Sequence, residues 1–426
     1  MTTIRSIVRR LCLIAVIATA ATVIAPAHAQ SSSDDAFAPL QEEFFNLFRS
    51  LQNQQGIRDG DEQFVRDLMD RMTAFASANP DDPRPVAAAF AMSDWIQDDE
   101  ARVAAISRLI ALIPENTQMV LDYGRRLKQK SAYADAITLF VDTAPVAITS
   151  SVDAALLYAD CLYCENRFDD AIAALTAALE IPGISDADKT RLESQSEQYT
   201  TKLEQWNEEL AIRSTETEAD TMPRAEIVTS KGIVLVELFE DAAPNTVANF
   251  ITLAEEGYYD NIRFHRVMGD FMSQGGNATE RVGLEDPSTA ELPKRIPDEH
   301  TGDEFRRHFA GTLAMANTGA PNSGAAQFYL CHRPTDWLDG RHTVFGRILE
   351  GLDIARAIEQ GEDVIETVRI VRKGDGPYDV QYADEMEATA NLDPADGDAD
   401  EDLDLNTTLD FESPVITDDE TGDGGG

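Results

Sequence analysis

Cysteine and basic residues are both scarce in this chain of 426 residues. There are only 4 cysteines, and Cys12 lies in an N-terminal targeting segment, so a disulfide framework is excluded. Lysine and arginine number 35 against 77 aspartates and glutamates, which gives a formal net charge of −42. Nucleic acids and anionic membrane surfaces are bound through basic patches, so this charge argues against both as partners. It is typical of a well-solvated surface.

Long apolar runs are also rare, and the longest lies at the start of the chain. Three arginines between positions 5 and 10 precede an apolar run at residues 11–25, which Ala27-His28-Ala29 follows. This order is typical of a secretory signal peptide, which we assign to residues 1–29. The run is shorter than the ~20 residues of a comfortable membrane span, and an uncleaved N-terminal anchor is the alternative. We therefore expect a periplasmic or secreted bacterial protein.

The rest of the chain is long enough for two or three domains, and the first part of it predicts helices. Residues 30–83 form an N-terminal helical segment, because apolar side chains recur there at helical spacing. Residues 84–212 carry a weak internal repeat, in which Ala136 and Ala171 occupy matching positions 35 residues apart. Tetratricopeptide repeats have a period of ~34 residues, and this region resembles them. We expect such a helical arm to bind protein partners.

Cys161 and Cys164 fall inside one of these predicted helices. A C-x-x-C spacing can indicate redox or metal chemistry, but here neither a preceding strand nor a second ligand pair accompanies it. Residues three apart share a helical face, where small apolar side chains pack well. We favour packing over chemistry for this pair.

The pattern changes from a helical period to strict alternation after a polar segment at residues 213–223, which we interpret as a linker. Residues 224–374 predict a series of short strands with one helix from Pro244 and a second over residues 351–358. Eight strands and two helices fit a closed antiparallel β-barrel with two capping helices. The predicted fold is thus multidomain, with an all-α region before an all-β barrel.

No basic residue follows Lys373, and residues 375–426 contain 18 acidic side chains. Such a segment buries too little apolar surface to offset chain entropy, so we interpret it as a disordered acidic tail. Aspartates alternate at Asp396, Asp398 and Asp400, but the glycine and the terminal glutamate of a calcium-binding EF-hand loop are absent.

Four motifs in the strand-rich region point to one site. They are Phe264-His265-Arg266, Phe271-Met272-Ser273-Gln274-Gly275-Gly276, Gln327-Phe328 and Trp337-Leu338-Asp339-Gly340. In this order and at these separations, they make the region resemble a cyclophilin, a peptidyl-prolyl cis-trans isomerase. The resemblance implies the barrel fold, proline-containing polypeptides as substrates, and no cofactor or metal.

The resemblance also implies roles for individual residues. The implied catalytic residues are Arg266, Gln274, Phe271 and His342. The implied substrate-binding residues are Met272, Ala316, Asn317, Gln327, Tyr329, Trp337 and Leu338. Arg266 would donate to the prolyl nitrogen, Gln274 would orient it, and the apolar residues would hold the proline ring. His265 alternates to the opposite face of its strand, which suggests a structural role.

Three departures from the family pattern mark this sequence. Tyr329 stands where phenylalanine is usual, Ala326 replaces a serine, and the loop between Asn317 and Gln327 is one residue longer. The tyrosine hydroxyl could narrow the proline site or bond a carbonyl. Two alternative functions therefore remain: a non-catalytic module that binds proline peptides, and an envelope scaffold in which the helical repeats carry the main role.

Overall fold

A computed structural model describes residues 36–54, 61–96, 98–113, 116–219, 221–300, 305–374 and 377–385. The predicted signal peptide at residues 1–29 lies outside these described residues, as does the chain after residue 385. The chain divides into two compact units, residues 1–204 and residues 205–426. Each unit is described by itself below.

The first unit is helical wherever it is described, which confirms the prediction of helices for this region. Its helices are α1 (Ala38–Gln54), α2 (Asp61–Ala78), α3 (Pro83–Trp95), α4 (Asp99–Leu112), α5 (Thr117–Gln129), α6 (Tyr133–Thr138), α7 (Pro145–Ser150), α8 (Val152–Cys164), α9 (Phe168–Ala178) and the first part of α10 (Asp186–Ala219). A π-helical turn at Leu139–Thr143 continues α6. None of the described helices combines the length and apolar character that a bilayer-spanning helix needs.

Two helical hairpins of this unit turn in the same way, 35 residues apart. Ser131 joins α5 to α6 and Asn166 joins α8 to α9, and each has a φ of 58°. Inside the first hairpin, a Cβ added at Gly124 would lie 2.9 Å from the Phe140 ring, so a larger residue there would displace this ring. The matching position in the second hairpin is the fully buried Ala159. The shared geometry accords with the sequence period, while the assignment to tetratricopeptide repeats stays a prediction.

Cys161 and Cys164 both lie in α8 with fully buried side chains, and they are not joined by a disulfide. Their burial accords with the packing interpretation.

The second unit is built on a single curled antiparallel sheet of nine strands. The strands are β1 (Arg224–Thr229), β2 (Gly232–Leu238), β3 (Ile262–Arg263), β4 (Arg266–Met268), β5 (Met272–Gly275), β6 (Thr312–Met315), β7 (Phe328–Cys331), β8 (Val344–Glu350) and β9 (Val364–Arg372). Their order across the sheet is β3-β9-β1-β2-β8-β6-β7-β5-β4.

The strand count corrects the prediction of eight strands. The run at residues 262–267 predicts one strand, but β3 pairs with β9 whereas β4 pairs with β5. Phe264 interrupts the run, because its backbone N–H donates to Asp363 O at 3.0 Å. Strands β3 and β4 therefore form the two ends of the strand order, and the predicted closure into a barrel is not shown within the described residues.

Two helices cover the sheet, as the sequence predicts. Helix α11 (Pro244–Glu255) starts with proline at its first turn, and α12 (Leu352–Arg356) follows Gly351. Phe250 of α11 packs against Phe328 and Phe345, with ring centroids 5.6 and 5.4 Å away. These three rings belong to an apolar cluster that we call the main core, which also includes Ile227, Val236 and Leu313. They pack α11 against β7 and β8.

The end of helix α10 is part of the second unit, and this corrects our interpretation of residues 213–223 as a linker. The helix continues to Ala219. Glu209 accepts from Arg306 at 2.7 and 2.9 Å, and Glu216 accepts from the same guanidinium at 2.5 Å. Trp206 packs on Phe309 at 4.7 Å. The segment lacks an apolar stripe, so its sequence predicts no packing, and buried ion pairs stabilise its position instead.

The start of the predicted disordered tail is also ordered, which corrects the boundary at residue 375. Tyr378, Val380 and Tyr382 pack against the main core at a spacing of two residues. The Ala383 N–H donates to Arg295 O at 2.9 Å, and Lys294 pairs with Glu385 at 2.8 Å. The acidic composition obscures this short alternating apolar pattern, which is what holds the segment.

Candidate active site

The candidate site is built on a row of residues that crosses four adjacent strands. Arg266 of β4 lies directly opposite Gln274 of β5, which lies opposite Tyr329 of β7, which lies opposite Ala314 of β6. Residues directly opposite on neighbouring strands point to the same face of a sheet. The sheet therefore brings Arg266, Gln274 and Tyr329 together. Met272 lies two residues before Gln274 on β5, so it shares the face of Gln274, as strand geometry predicts.

Arg266 occupies the edge strand β4 and is partly buried. Its Nη2 lies 3.3 Å from the Met268 sulfur, on the same face of the strand. The hairpin between β4 and β5 turns at Asp270, which has a φ of 60°. The Asp270 carboxylate is held by Arg333 at 3.2 Å. The turn is thus tied to the body of the unit, which fixes the strand that carries Arg266.

Gln274 is the buried neighbour of Arg266, and its amide is engaged by another glutamine. Gln274 Nε2 donates to Gln327 Oε1 at 3.0 Å. The chain just after β5 passes close to Ala326 and Gln327, since a Cβ added at Gly276 would lie 2.6 Å from the Ala326 carbonyl oxygen. Gly276 has a φ of 85°, so glycine is required there for two reasons. Gln327 thus holds the Gln274 amide in place, while its implied contact with substrate stays a prediction.

His265 faces this network, contrary to the expectation that it points away. Burial, and then the charge of the neighbouring Arg266, lower its pKa to about 4, against the opposing effect of a hydrogen bond with the Gln327 side chain. Residues 264 and 265 lie between β3 and β4, so strand alternation does not apply to them. The imidazole is therefore neutral near pH 7 and adds no second positive charge beside Arg266.

Apolar side chains form a second cluster beside the row, separate from the main core. We call one part of this larger cluster the site cluster: Phe271, Met272, Ala314, Ala316, Tyr329, Trp337 and Leu338. Phe271 and Met272 are 4% and 2% exposed, and Trp337 is half-buried with its ring centroid 5.6 Å from that of Phe271. Six of the predicted site residues thus lie in one apolar cluster, and Met268, which packs against that cluster, contacts the Arg266 guanidinium.

His342 and Asn317 lie behind this cluster. His342 is buried, its Nδ1 lies 3.1 Å from Met315 O, and its ring meets the Tyr329 ring edge-on at 5.6 Å. Burial lowers the pKa of His342 to about 4, so the ring is neutral near pH 7. Asn317 Nδ2 donates to Arg341 O at 2.8 Å and its Oδ1 accepts from Gly319 N at 3.0 Å. Both side chains hold the loops around the cluster in place.

Two residues of the site, His308 and Asp339, were not predicted from the sequence. His308 Nε2 lies 2.9 Å from the Tyr329 hydroxyl, and His308 Nδ1 lies 2.8 Å from Asp339 Oδ1. Asp339 belongs to one of the four motifs, but that motif gives no role to it. The available signal was the tyrosine itself, because a buried hydroxyl requires a polar partner.

Comparison with known proteins points to one family. The model of the cyclophilin type peptidyl-prolyl cis-trans isomerase family matches residues 224–374. Peptidyl-prolyl cis-trans isomerase ppi1 of Schizosaccharomyces pombe is 40% identical over 156 residues, which are 35% of this chain and 97% of that protein. A peptidyl-prolyl cis-trans isomerase of Synechococcus elongatus is 41% identical over 152 residues, 35% of this chain and 97% of that protein.

Among solved structures, cyclophilin AquaCyp293 from Hirschia baltica matches 36% of this chain and 80% of its own, at 26% identity and a TM-score of 0.31. The sequence relatives identify the class: this chain belongs to the cyclophilin-type peptidyl-prolyl cis-trans isomerases. Its second unit carries that isomerase, and its substrates are proline-containing peptides.

Proposed function

We propose that this chain isomerises X-Pro bonds in exported proteins and thereby assists their folding, with Arg266 as the donor to the prolyl nitrogen. One observation carries the proposal. Arg266 lies opposite Gln274 on paired strands, beside the site cluster that contains Phe271, Met272 and Leu338. Placing a cation next to apolar side chains costs free energy, and in this proposal its hydrogen bond to a bound prolyl peptide offsets that cost.

The size of the barrier shows what the site must supply. Rotation about a peptide bond costs ~18–20 kcal/mol, because resonance gives the C–N bond double-bond character. Before proline, the cis form is only ~0.5–1 kcal/mol above trans, so both isomers are populated. Uncatalysed exchange takes ~10–100 s. Acceleration to milliseconds requires about 10⁴-fold, or ~5.5 kcal/mol of barrier reduction.

A preorganised N–H donor accounts for the larger share of that reduction. As the bond twists, resonance is lost and the lone pair of the prolyl nitrogen becomes available to accept a hydrogen bond. A donor aimed at charge that develops only in the transition state supplies ~3–4 kcal/mol in a dry site. Arg266 is always charged and has five N–H donors, which suits it to this task. Because His265 and His342 are neutral near pH 7, neither imidazole adds a second positive charge to the site.

The remaining contribution comes from holding the proline ring while the flanking carbonyl turns. In this proposal, Phe271, Met272, Tyr329 and Leu338 contact the ring, and Trp337 covers its outer side. Gln274 orients Arg266 and bonds a carbonyl of the peptide. Ala316 and Asn317 offer backbone groups to the peptide, and the buried His342 supports the Tyr329 ring. These roles are supported by the shared cluster and by the cross-strand row.

A protease-coupled assay on an Ala-Pro peptide tests the enzymatic proposal with the full chain. We expect turnover for the wild type and its loss in Arg266→Ala. Should both proteins turn over equally slowly while still binding the peptide, a non-catalytic proline-binding module replaces the proposal.

The helical first unit is the proposed arm for protein partners, and the periplasm or the extracellular space is the proposed location. The repeated hairpin turns at Ser131 and Asn166 support the first statement. The basic-apolar-small order of residues 1–29 supports the second. Sequencing the N-terminus of the purified protein tests export, since cleavage predicts a chain that begins at Gln30. Deleting residues 30–204 tests the arm: partner capture that persists without them contradicts this role.

A further inference from the structure

Tyr329 brings a hydroxyl group into the wall of the site cluster. The residue is 3% exposed, so this polar atom cannot rely on bulk water. Its oxygen lies 2.9 Å from Nε2 of His308, and His308 is fully buried. A buried hydroxyl left without a partner costs ~1–3 kcal/mol, which makes this contact more than incidental.

Asp339 determines which nitrogen of His308 carries a hydrogen. Its Oδ1 accepts from the backbone N–H of His308 at 2.8 Å and lies 2.8 Å from Nδ1 of the same residue. A carboxylate accepts hydrogen bonds and does not donate them, so Nδ1 is the nitrogen that bears the hydrogen. With the imidazole neutral, Nε2 carries no hydrogen and accepts the hydrogen of the Tyr329 hydroxyl.

Ring contacts on two sides hold the tyrosine in this orientation. The His308 ring is nearly parallel to the Tyr329 ring, with an angle of 5° and a centroid distance of 6.0 Å. The His342 ring is nearly perpendicular to it at 84° and 5.6 Å. Met272, Leu338 and Ala316 belong to the same apolar cluster as the tyrosine. The hydroxyl is thus directed at a buried imidazole, and the ring remains as an apolar surface among these neighbours.

We propose that His308 and Asp339 are positioning residues of the proline-binding surface. They hold the Tyr329 hydroxyl toward the interior, so that only the ring contacts the substrate proline. This inference rests on the proposed function, because it assigns the proline ring to the site cluster. It also answers the question that the tyrosine raises: its hydroxyl neither narrows the proline site nor bonds a substrate carbonyl.

A change in KM without a change in kcat is the expected signature. Without the acceptor, the hydroxyl recruits a water or turns toward the site cluster, and proline binding must then displace it. The proline ring is held in the ground state and in the transition state alike, so the loss is uniform. The Arg266 donor is not touched by the change. We therefore expect KM to rise about tenfold, as the loss of one buried hydrogen bond implies.

The experiment compares His308→Leu and His308→Gln in the full chain, each in the Tyr329 and the Tyr329→Phe background. In the tyrosine background, leucine raises KM and glutamine, whose amide oxygen can accept, raises it much less. In the phenylalanine background, leucine has little further effect, because no hydroxyl needs an acceptor. A KM increase from His308→Leu that is equal in both backgrounds overturns the proposal, since it shows a general structural role.

Two further measurements keep the proposal testable. Should His308→Leu fail to fold by circular dichroism, Asp339→Ala replaces it, with a smaller rise in KM that Tyr329→Phe also abolishes. In the wild type, the Tyr329 hydroxyl proton should exchange slowly by NMR, and its rapid exchange with solvent contradicts the assigned hydrogen bond. Absence of wild-type turnover would refute the proposed enzyme alone, since the NMR result and the dissociation constant of an Ala-Pro peptide still decide the role of His308.

Discussion

Arg266 and Gln274 lie directly opposite each other on β4 and β5, and Gln274 is held from its other side by Gln327 at 3.0 Å. An amide fixed in this way can orient the neighbouring guanidinium without losing side-chain entropy on substrate binding. In this pair, Arg266 is the proposed donor to the substrate and Gln274 sets its position.

Replacing Gln274 with alanine should lower kcat/KM about tenfold, because one hydrogen bond of the site is lost and Arg266 gains freedom. The matched control is Gln360→Ala. Gln360 is exposed, and its Oε1 accepts from the backbone N–H of Val267 at 3.3 Å. Val267 follows Arg266 on β4, and Gln360 lies outside the row of site residues. We expect the control to retain kcat/KM within about twofold. Equal losses in the two variants, measured in the protease-coupled assay, would show that strand β4 is generally sensitive and that Gln274 has no special role.

Glu209 on helix α10 should contribute strongly to the stability of the second unit. It is 5% exposed and pairs with Arg306 and Arg213, both at 2.7 Å. Removing one partner from a buried ion pair costs ~3–5 kcal/mol, because the other charge stays buried without compensation. Glu209→Gln should therefore lower the free energy of unfolding by ~3 kcal/mol.

The neighbouring residue provides the control for this prediction. Glu208 is exposed on the same helix, so Glu208→Gln should change the free energy of unfolding by less than ~0.5 kcal/mol. Urea unfolding of the full chain in a Trp95→Phe background, followed by the fluorescence of Trp206 and Trp337, measures both variants. Equal stability of Glu209→Gln and Glu208→Gln would contradict the burial of the α10 segment against this unit.

The buried histidines predict a loss of stability in acid. Burial lowers the pKa of His332 from 6.5 to about 3, while its Nε2 bonds the Ser273 hydroxyl at 2.8 Å. At a pH between these two pKa values, His332 is protonated in the unfolded chain and neutral in the folded chain. Stability is therefore complete above pH 6.5 and falls as the pH falls toward 3, with a slope of up to ~1.4 kcal/mol per pH unit for each such histidine.

His332→Asn should flatten this dependence, because asparagine can keep a polar contact but does not titrate. The melting temperature of the wild type and of the variant, measured from pH 7 to pH 4, gives the comparison. Parallel curves would show that His332 does not contribute to the acid sensitivity.

Much of the site could be predicted from the sequence, because its residues belong to short motifs and share strand faces. Met272 and Gln274 differ by two positions, so their common face follows from strand geometry alone. The contact of His308 with Tyr329 could not be predicted in this way. The two residues are 21 positions apart, and only the folded sheet brings them together.

The errors in the fold have one physical origin. Residues 213–219 and 377–385 lack long apolar patterns, so the sequence suggests a linker and a tail. In the structure, buried ion pairs such as Arg306–Glu216 and three alternating apolar side chains near Tyr378 hold these segments. Local periodicity carries no information about which distant charge a glutamate meets. The interruption between β3 and β4 at Phe264 could not be predicted for the same reason. The backbone N–H of Phe264 donates to Asp363 O, which lies far along the chain, just before β9.

The most direct test of the central claim is the exchange rate of an Ala-Pro peptide on the full chain, measured by NMR at saturating peptide. Arg266→Ala should lower this rate by about 10²–10³, as expected for the loss of a transition-state donor, while the dissociation constant of the peptide changes by less than about threefold. Arg263→Ala, on β3 at the opposite end of the strand order, is the control and should match the wild type. An Arg266→Ala protein that exchanges the bound peptide as fast as the wild type would contradict the account.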